Sequence, residues 1–167
     1  MPVRVQPHDF DLAQEINRLR AGRPNVGAVA VFVGTVRDLN AGVGVSALAL
    51  EHYPGMTERA LERIVGQARA RWTLDDVLVV HRVGELRPAD QIVLVAVTSA
   101  HRGEAFAACE FVIDWLKTLA PFWKKEMTPD GPRWVDAREA DDAAAARWGE
   151  PSLPAPSAPQ PDPAAGR

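Results

Sequence analysis

The order of strand-like and helix-like segments is the feature that most constrains the fold of this chain. Hydrophobic periodicity gives the order β-α-β-β-α-β-β-α-β. A doubly wound parallel sheet needs regular alternation, because each parallel pair of strands requires a crossover connection. Two pairs of successive strands break that alternation here. The order therefore predicts the α+β class, with a mixed or antiparallel sheet and flanking helices.

The bounds of these segments follow from their caps and turn residues. Asp9 or Asp11 can cap the first helix, the second begins at Thr57, and the third runs from Gly103 to Leu119, where Pro121 ends it. Predicted strands cover residues 3–6, 26–36, 45–52, 77–83 and 91–99, with short extended pieces at 122–127 and 133–135.

Three finer expectations concern packing and connections. The valine-rich strand at 26–36 is typical of a strand buried on both faces. Residues 38–44 are expected to form a flexible connection, and residues 84–90 a turn. In the third helix the inward positions are expected to be Phe106, Cys109, Ile113 and Leu116.

Size and composition favour one folded domain. At 167 residues the chain suits a single domain, which we place at 1–148. From 149 onward, six prolines stand among alanine and serine with almost no large apolar side chain. Such a segment cannot bury enough surface to fold, so residues 149–167 are predicted to be a disordered tail.

Charge and cysteine content exclude several classes of protein. The net charge of −3 gives no overall basic field, so we expect no nucleic-acid partner. A single cysteine, Cys109, excludes an internal disulfide and fits a reducing compartment. The first residues lack the apolar core of a signal peptide, and the longest apolar runs are too short to cross a bilayer. We therefore expect a cytoplasmic protein without a membrane partner.

The segment DWLKTLAPFWKKEM, residues 114–127, is the strongest chemical signal. Lys117 and Lys124 stand there among large apolar and aromatic side chains, on either side of Pro121. Burial and a second nearby ammonium both disfavour a charged lysine, so one of the two could act as a nucleophile or a base. The alternative is that the stems lie along apolar surface while the charged heads reach water.

Arginine and histidine at element ends indicate an anion site. His101 and Arg102 join a strand to the N-terminus of the third helix, where free backbone N–H groups favour an anion. Arg37, after the valine-rich strand, could supply a second bidentate contact to a phosphate. The alternative is that Arg102 pairs with Glu104 and His101 bonds a loop carbonyl.

Other candidates are weaker. Cys109 lies on the inward face of a helix, which favours a core role over a nucleophile. The four histidines lack the spacing and partners of a zinc or iron site, and no phosphate-binding or nucleotide-binding loop is present, so we expect no metal and no cofactor. Glu51, His52 and Tyr53 could form an acid–base pair, although a structural role is more common for such residues.

Several motifs, taken in order, resemble the large, catalytic subunit of molybdopterin synthase (the MoaE family) over about residues 3–148. They are VGAVAVFVGTVRD, LEHYPGMTERALERI, HRVGELRPAD, VTSAHRGEAF, DWLKTLAPFWKKE and RWVDAR. The resemblance implies a fold of the α/β-hammerhead type, which agrees with the α+β class.

The resemblance also implies an activity and partners. This family is a sulfurtransferase of molybdenum cofactor biosynthesis, which converts cyclic pyranopterin monophosphate to molybdopterin by adding the two sulfurs of a dithiolene. The sulfur arrives as a thiocarboxylate on the C-terminal Gly-Gly of a small ubiquitin-like sulfur-carrier subunit. The implied assembly is a heterotetramer, with a central homodimer of large subunits and a small subunit at each end.

Matching the motifs residue by residue gives roles to six positions. The family's catalytic lysines fall on Lys117 and Lys124. Its His-Arg motif falls on His101 and Arg102, and its arginine after the VGTV-type strand on Arg37. These three are expected to bind substrate, in one pocket with Lys117 and Lys124. The arginine of RWVDAR is Arg138. It is also expected to bind substrate, and it matches one that reaches the pocket of the opposite subunit.

Two alternatives remain open at this point. A non-catalytic module that binds a ubiquitin-like partner or an anionic metabolite would need the same charges but no reactive lysine. Phe122, Trp123 and Met127 could form the surface that receives the partner's tail, or they could be ordinary core.

Overall fold

The computed structural model describes residues 2–135 and 139–149 of the chain. Its elements are β1 (Val3–Gln6), α1 (Leu12–Arg20), β2 (Ala28–Thr35), β3 (Leu39–Asn40), β4 (Val43–Gly44), β5 (Ala47–His52), α2 (Met56–Arg71), β6 (Asp76–Arg82), β7 (Gly84–Leu86), β8 (Gln91–Ser99), α3 (Arg102–Leu119), β9 (Phe122–Thr128), β10 (Gly131–Val135) and α4 (Glu139–Ala146). Strand pairing is parallel at one ladder and antiparallel elsewhere, so the predicted α+β class is confirmed.

The first sheet has the strand order β1-β6-β8-β2 and carries the main core. Side chains alternate between its two faces. Val95 and Val97 of β8 pack with residues of α2 and α3 on one face, while Leu94 and Ala96 pack with residues of α1 on the other. Helices thus cover both faces, with the two longer ones together on one side.

The expectation that the strand at 26–36 is buried on both faces is wrong. The strand order places β2 at the edge of the first sheet, and Val31 there is 42% exposed. The strands buried on both faces are β6 and β8, the two inner strands of this sheet. A valine-rich sequence is common to edge and central strands, so the pattern alone does not distinguish them.

Phe106 also differs from its expectation, since it is 66% exposed. The buried stripe of α3 runs through Ala105, Cys109 and Val112, which recur at helical spacing. Phe106 lies outside that stripe, whereas Ile113 and Leu116 are buried as expected.

A second four-stranded sheet has the order β10-β9-β5-β7 and is antiparallel throughout. The segments expected to be a flexible connection and a turn both contain strands. Residues 38–44 include the two-stranded ribbon β3-β4, and residues 84–90 include β7. Strands of two or three residues are too short to show an alternating pattern in the sequence.

The C-terminal part of the described chain packs back onto α3. The indole N–H of Trp148 donates to Asp114 at 2.8 Å, and its ring meets the edges of Phe111 and Trp72 at 5.5 and 5.7 Å. The short helix α4 was not anticipated from the sequence. Residues 150–167, nearly all of the predicted tail, lie outside the described residues, and that assignment remains a prediction.

Within the described ranges, the helices all fall short of the length and apolar character that a membrane crossing requires.

Candidate functional site

A cavity of about 480 Å³ opens where the two sheets and the C-terminal end of α3 meet. Basic side chains reach it from three separate elements. Arg37 follows the edge strand β2, Lys117 lies in the last turn of α3, and Lys124 lies on β9. The cavity is therefore a concave site with three cationic side chains in its lining, as expected of a pocket for anions.

The proline that ends α3 and the alternation of side chains along β9 explain why Lys117 and Lys124 line the same cavity. Pro121 has no backbone N–H and disfavours a helical residue before it, so α3 ends at Leu119 and the chain turns directly into β9. Alternate side chains of β9 then face the cavity, namely Phe122, Lys124 and Glu126.

The lysines are less enclosed than their apolar neighbours in the sequence suggest. Lys117 is exposed and Lys124 is half-buried. The large apolar residues around them turn mainly into the core, as Trp115 and Leu116 do. The exposure of Lys117 to water within a single chain favours the alternative given above for that residue.

The other predicted site residues are not in this cavity. His101 and Arg102 are exposed at the N-terminal end of α3. A rise of 1.5 Å per residue places Arg102 about 22 Å from Lys117 along the helix axis. The five basic residues therefore do not form one cluster within a single chain, and Arg138 lies outside the described residues.

The alternative pairing of Arg102 with Glu104 is not seen either. The Glu104 carboxylate accepts hydrogen bonds from the Thr73 backbone N–H and the Ser99 hydroxyl, both at 3.3 Å. Glu104 thus ties α3 to the end of β8, and the Arg102 side chain extends into solvent.

Phe122, Trp123 and Met127 do not form one surface. Phe122 faces the cavity, whereas Trp123 and Met127 point to the opposite face of β9 by alternation. Of the three, Phe122 alone can contact a ligand in the cavity.

His81 is a cavity residue that the sequence analysis did not assign to the site. It lies on β6 and is only 3% exposed, and its ring stacks on Phe122 with centroids 3.7 Å apart. The pKa of His81 is lowered to about 3, chiefly by burial; the hydrogen bond to the Arg82 carbonyl raises it, and the charges of Lys124, Lys117 and His52 lower it. In the sequence, His81 occupies the position that continues the alternation of Val77 and Val79. A polar residue at such a position is the signal that could have identified it as a site residue.

Glu126 is a second residue that was missed. It is 6% exposed, and its carboxylate accepts two hydrogen bonds from Arg133, at 3.1 and 2.9 Å, and one from the Asn40 amide at 2.7 Å. These contacts join β9, β10 and the β3-β4 ribbon beside the cavity. A buried carboxylate with such partners holds the ribbon in place.

Replacing Glu126 with glutamine is expected to lower the free energy of unfolding by about 1–3 kcal/mol, because charge-assisted bonds to Arg133 are lost. Hydrogen exchange at the amides of residues 39–44 should accelerate with it. Glu85→Gln, which removes a carboxylate from an exposed residue of β7, is the control. Unchanged ribbon exchange in Glu126→Gln would show that other contacts hold the ribbon.

Cys109 has the core position expected of it. Cys109 is buried, its thiol donates to the Val95 carbonyl at 3.8 Å, and burial raises its pKa to about 11, so it is not a nucleophile near neutral pH. His52 lies 4.0 Å from Glu58, and Tyr53 is 54% exposed. In residues 2–135 and 139–149, three or more His, Cys, Asp or Glu side chains do not come together as metal ligands.

Comparison with known proteins gives a consistent result. The model of the MoaE protein family matches residues 5–119. A protein of Ralstonia nicotianae named molybdopterin synthase catalytic subunit is 69% identical over 147 residues, which is 88% of this chain and 84% of the relative.

Solved structures agree with these relatives. Molybdopterin cofactor biosynthesis protein E from Burkholderia multivorans is 65% identical, with a TM-score of 0.76 over 90% of this chain and 97% of its own. The crystal structure of molybdopterin synthase from Staphylococcus aureus is 34% identical, with a TM-score of 0.75 over 81% of this chain and 98% of that one.

Proposed function

This chain belongs to the MoaE family, and we propose that its cavity carries out the sulfur transfer of a molybdopterin synthase catalytic subunit. In this reaction, sulfur passes from the C-terminal thiocarboxylate of a small ubiquitin-like subunit to cyclic pyranopterin monophosphate, which forms the dithiolene of molybdopterin. The chain is thus a sulfurtransferase of molybdenum cofactor biosynthesis.

The observation that supports this function best is the meeting of Arg37, Lys117 and Lys124 at one cavity. Both reactants are anions, since one carries a phosphate and the other a thiocarboxylate. Positive side chains that are already positioned stabilise two anions together, and they stabilise the charge that develops as the sulfur attacks. Arg37 can hold phosphate oxygens in a bidentate contact.

We assign different roles to the two lysines. Lys117 takes up a proton during sulfur attack, or its neutral amine attacks the carbonyl of the partner's tail once the sulfur has bonded to the pterin. In the second case the acyl C–S bond breaks, the sulfur stays on the pterin as a thiolate, and the tail is held as an amide until water releases it. Lys124 binds and polarises the pterin substrate. Lys117 is exposed in the single chain, so the partner's tail would enclose it on entry. Water would then be excluded at the moment of transfer.

The remaining basic residues are proposed to act between two copies of the chain. His101 and Arg102 are too far along α3 to reach the cavity of their own chain. We therefore place them, together with Arg138, at the cavity of a second large subunit. This arrangement fits a homodimer of large subunits within a heterotetramer, and we propose the cytoplasm as its location.

The direct test is reconstitution. The purified full-length chain is mixed with a thiocarboxylated small subunit and cyclic pyranopterin monophosphate, and molybdopterin is measured as its fluorescent oxidation product. The proposed function expects product with the thiocarboxylated subunit and none with the unmodified carboxylate form. A mixture that binds both reactants without turnover would support the alternative, a non-catalytic binding module.

A Lys117→Arg variant separates the two functions. A binding module should keep its affinity and lose nothing, because the charge is unchanged. The enzyme is expected to lose turnover by about 10²-fold or more, because a guanidinium stays protonated and cannot accept a proton or form a covalent bond. Small-subunit affinity, measured by calorimetry, should stay within about threefold of the wild-type value.

A further inference from the structure

The polar groups of the cavity are unevenly divided between hydrogen-bond donors and acceptors. Arg37, Lys117 and Lys124 can only donate when charged. Glu126 can accept, but its two carboxylate oxygens already receive hydrogen bonds from Arg133 and Asn40. Asp141, Thr35 and Asn40 also line the cavity and carry acceptor oxygens. A ligand that has N–H groups of its own can use these oxygens, or a neutral nitrogen acceptor, which costs less to desolvate than a carboxylate.

His81 can supply that acceptor. Its Nδ1 atom lies 2.8 Å from the Arg82 carbonyl oxygen, and a carbonyl oxygen can only accept, so Nδ1 carries the proton. In a neutral imidazole the other nitrogen, Nε2, then has a free lone pair.

The ring of His81 is also held in a fixed orientation. It stacks on Phe122 at an interplanar angle of 15°, and its backbone lies between Val5 on β1 and Val93 on β8 in the first sheet. Stacking and the Nδ1 bond together oppose rotation of the ring, so the acceptor is preorganised before a ligand arrives.

We propose that His81 is a specificity-determining residue whose Nε2 accepts a hydrogen bond from an N–H group of the pterin ring. This inference rests on the proposed function, and it assigns different parts of the substrate to two kinds of side chain. Arg37 and the two lysines hold the anionic parts, and His81 recognises the heterocycle. Phe122, stacked on the imidazole and lining the same cavity, adds apolar surface for the flat ring.

The chemistry of burial explains why this bond would select the substrate. A ring N–H that enters a cavity without a partner loses its hydrogen bond to water, which weakens binding. A site built around such a bond rejects analogues that lack the donor. Because burial holds the pKa of His81 near 3, the imidazole stays neutral, and Nε2 stays an acceptor, throughout the neutral range.

Three variants separate an acceptor role from a packing role. His81→Phe keeps an aromatic ring against Phe122 and removes both nitrogens. His81→Gln can place its amide oxygen near the position of Nε2, whereas the shorter His81→Asn reaches only the position of Nδ1. Thermal unfolding of each variant identifies those that remain folded.

For the folded variants we measure KM for cyclic pyranopterin monophosphate and kcat with the thiocarboxylated small subunit in excess. We expect His81→Phe and His81→Asn to raise this KM by about 10-fold or more and to change kcat less, with partial recovery in His81→Gln. Equal KM values in wild type and His81→Phe would overturn the proposal. Equal impairment in the Gln and Asn variants would do the same, because it indicates packing alone.

A measurement on the wild-type protein keeps the proposal testable if the variants do not fold. With ¹⁵N-labelled histidine, the Nε2 resonance of His81 is expected to shift when the cyclic pterin is added and to stay unchanged with inorganic phosphate. No shift at saturating pterin would overturn the assignment. A shift in the absence of turnover would support the role of His81 and contradict the proposed sulfur transfer. Failure of one proposal can therefore be distinguished from failure of the other.

Discussion

Lys117→Ala is expected to lower the rate of dithiolene formation by about 10²- to 10³-fold, the cost of removing one preorganised group that stabilises charge in a transition state. The variant should fold normally, because the Lys117 side chain is exposed and its helix is anchored by buried neighbours such as Leu116 and Leu119. The measurement is single-turnover formation of molybdopterin with both substrates saturating.

A matched control lies on β9. Lys125 is next to Lys124 in sequence, but its ammonium lies 5.5 Å from the ring of Trp134, on the face of β9 away from the cavity. Lys125→Ala removes the same charge and should retain turnover within about threefold of wild type, because the half-buried Lys125 lies outside the cavity. Near-normal turnover in Lys117→Ala would rule out the role assigned to that lysine.

The second large effect is on stability in acid, and it comes from His81. Its pKa is about 3 in the folded protein against 6.5 for an ordinary histidine, so the unfolded chain binds a proton that the folded chain does not. The stability that depends on this difference is complete above pH 6.5 and is lost as the pH falls toward 3. Between pH 7 and pH 4 the loss from this residue amounts to about 3 kcal/mol.

Urea unfolding at pH 7 and pH 4 measures this contribution in wild type and in His81→Phe. Other groups titrate in the same range; for example, a hydrogen bond from Arg23 lowers the pKa of Asp75, which also makes folding weaker in acid. Those groups are common to both proteins, so the difference between the two pH dependences isolates His81. If the free energy of unfolding fell equally in wild type and His81→Phe between pH 7 and pH 4, His81 would contribute nothing to the pH dependence, and the prediction would be wrong.

Much of the site was predictable because its strongest signals are local. Pro121 must end a helix, and it lies between Lys117 and Lys124, so the two lysines were expected near one turn. Arg37 follows a recognisable strand and lines the same cavity. Cys109 was assigned to the core from its place on a helix face, and the structure agrees.

The position of His101 and Arg102 was harder to predict, because their relation to the lysines depends on helix length. The sequence motifs suggest one pocket, but α3 is a continuous helix of 18 residues and separates its two ends. Bringing His101 and Arg102 to the same cavity as Arg37 and the two lysines requires a second copy of the chain. The sequence of one chain does not specify how two copies are arranged.

His81 and Glu126 were missed because their roles depend on strand pairing. Glu126 reaches Asn40 across 86 positions of sequence, and His81 meets Phe122 only because β9 returns beside the end of β6. A buried polar residue within an apolar alternation was the available signal at His81. Its partners became visible only in three dimensions.

The alternation of β9 has a consequence for insertions and deletions. Even-numbered side chains from Phe122 to Glu126 face the cavity, while Trp123, Lys125 and Met127 face away. A single residue gained or lost between Pro121 and Lys124 would leave the strand long enough to pair, yet it would turn Lys124 and Glu126 away from the cavity and bring Trp123 and Lys125 to the face that lines it. The number of residues between Pro121 and Lys124 is therefore constrained by the chemistry of the cavity. A change of length can be accommodated instead in the turn between β3 and β4.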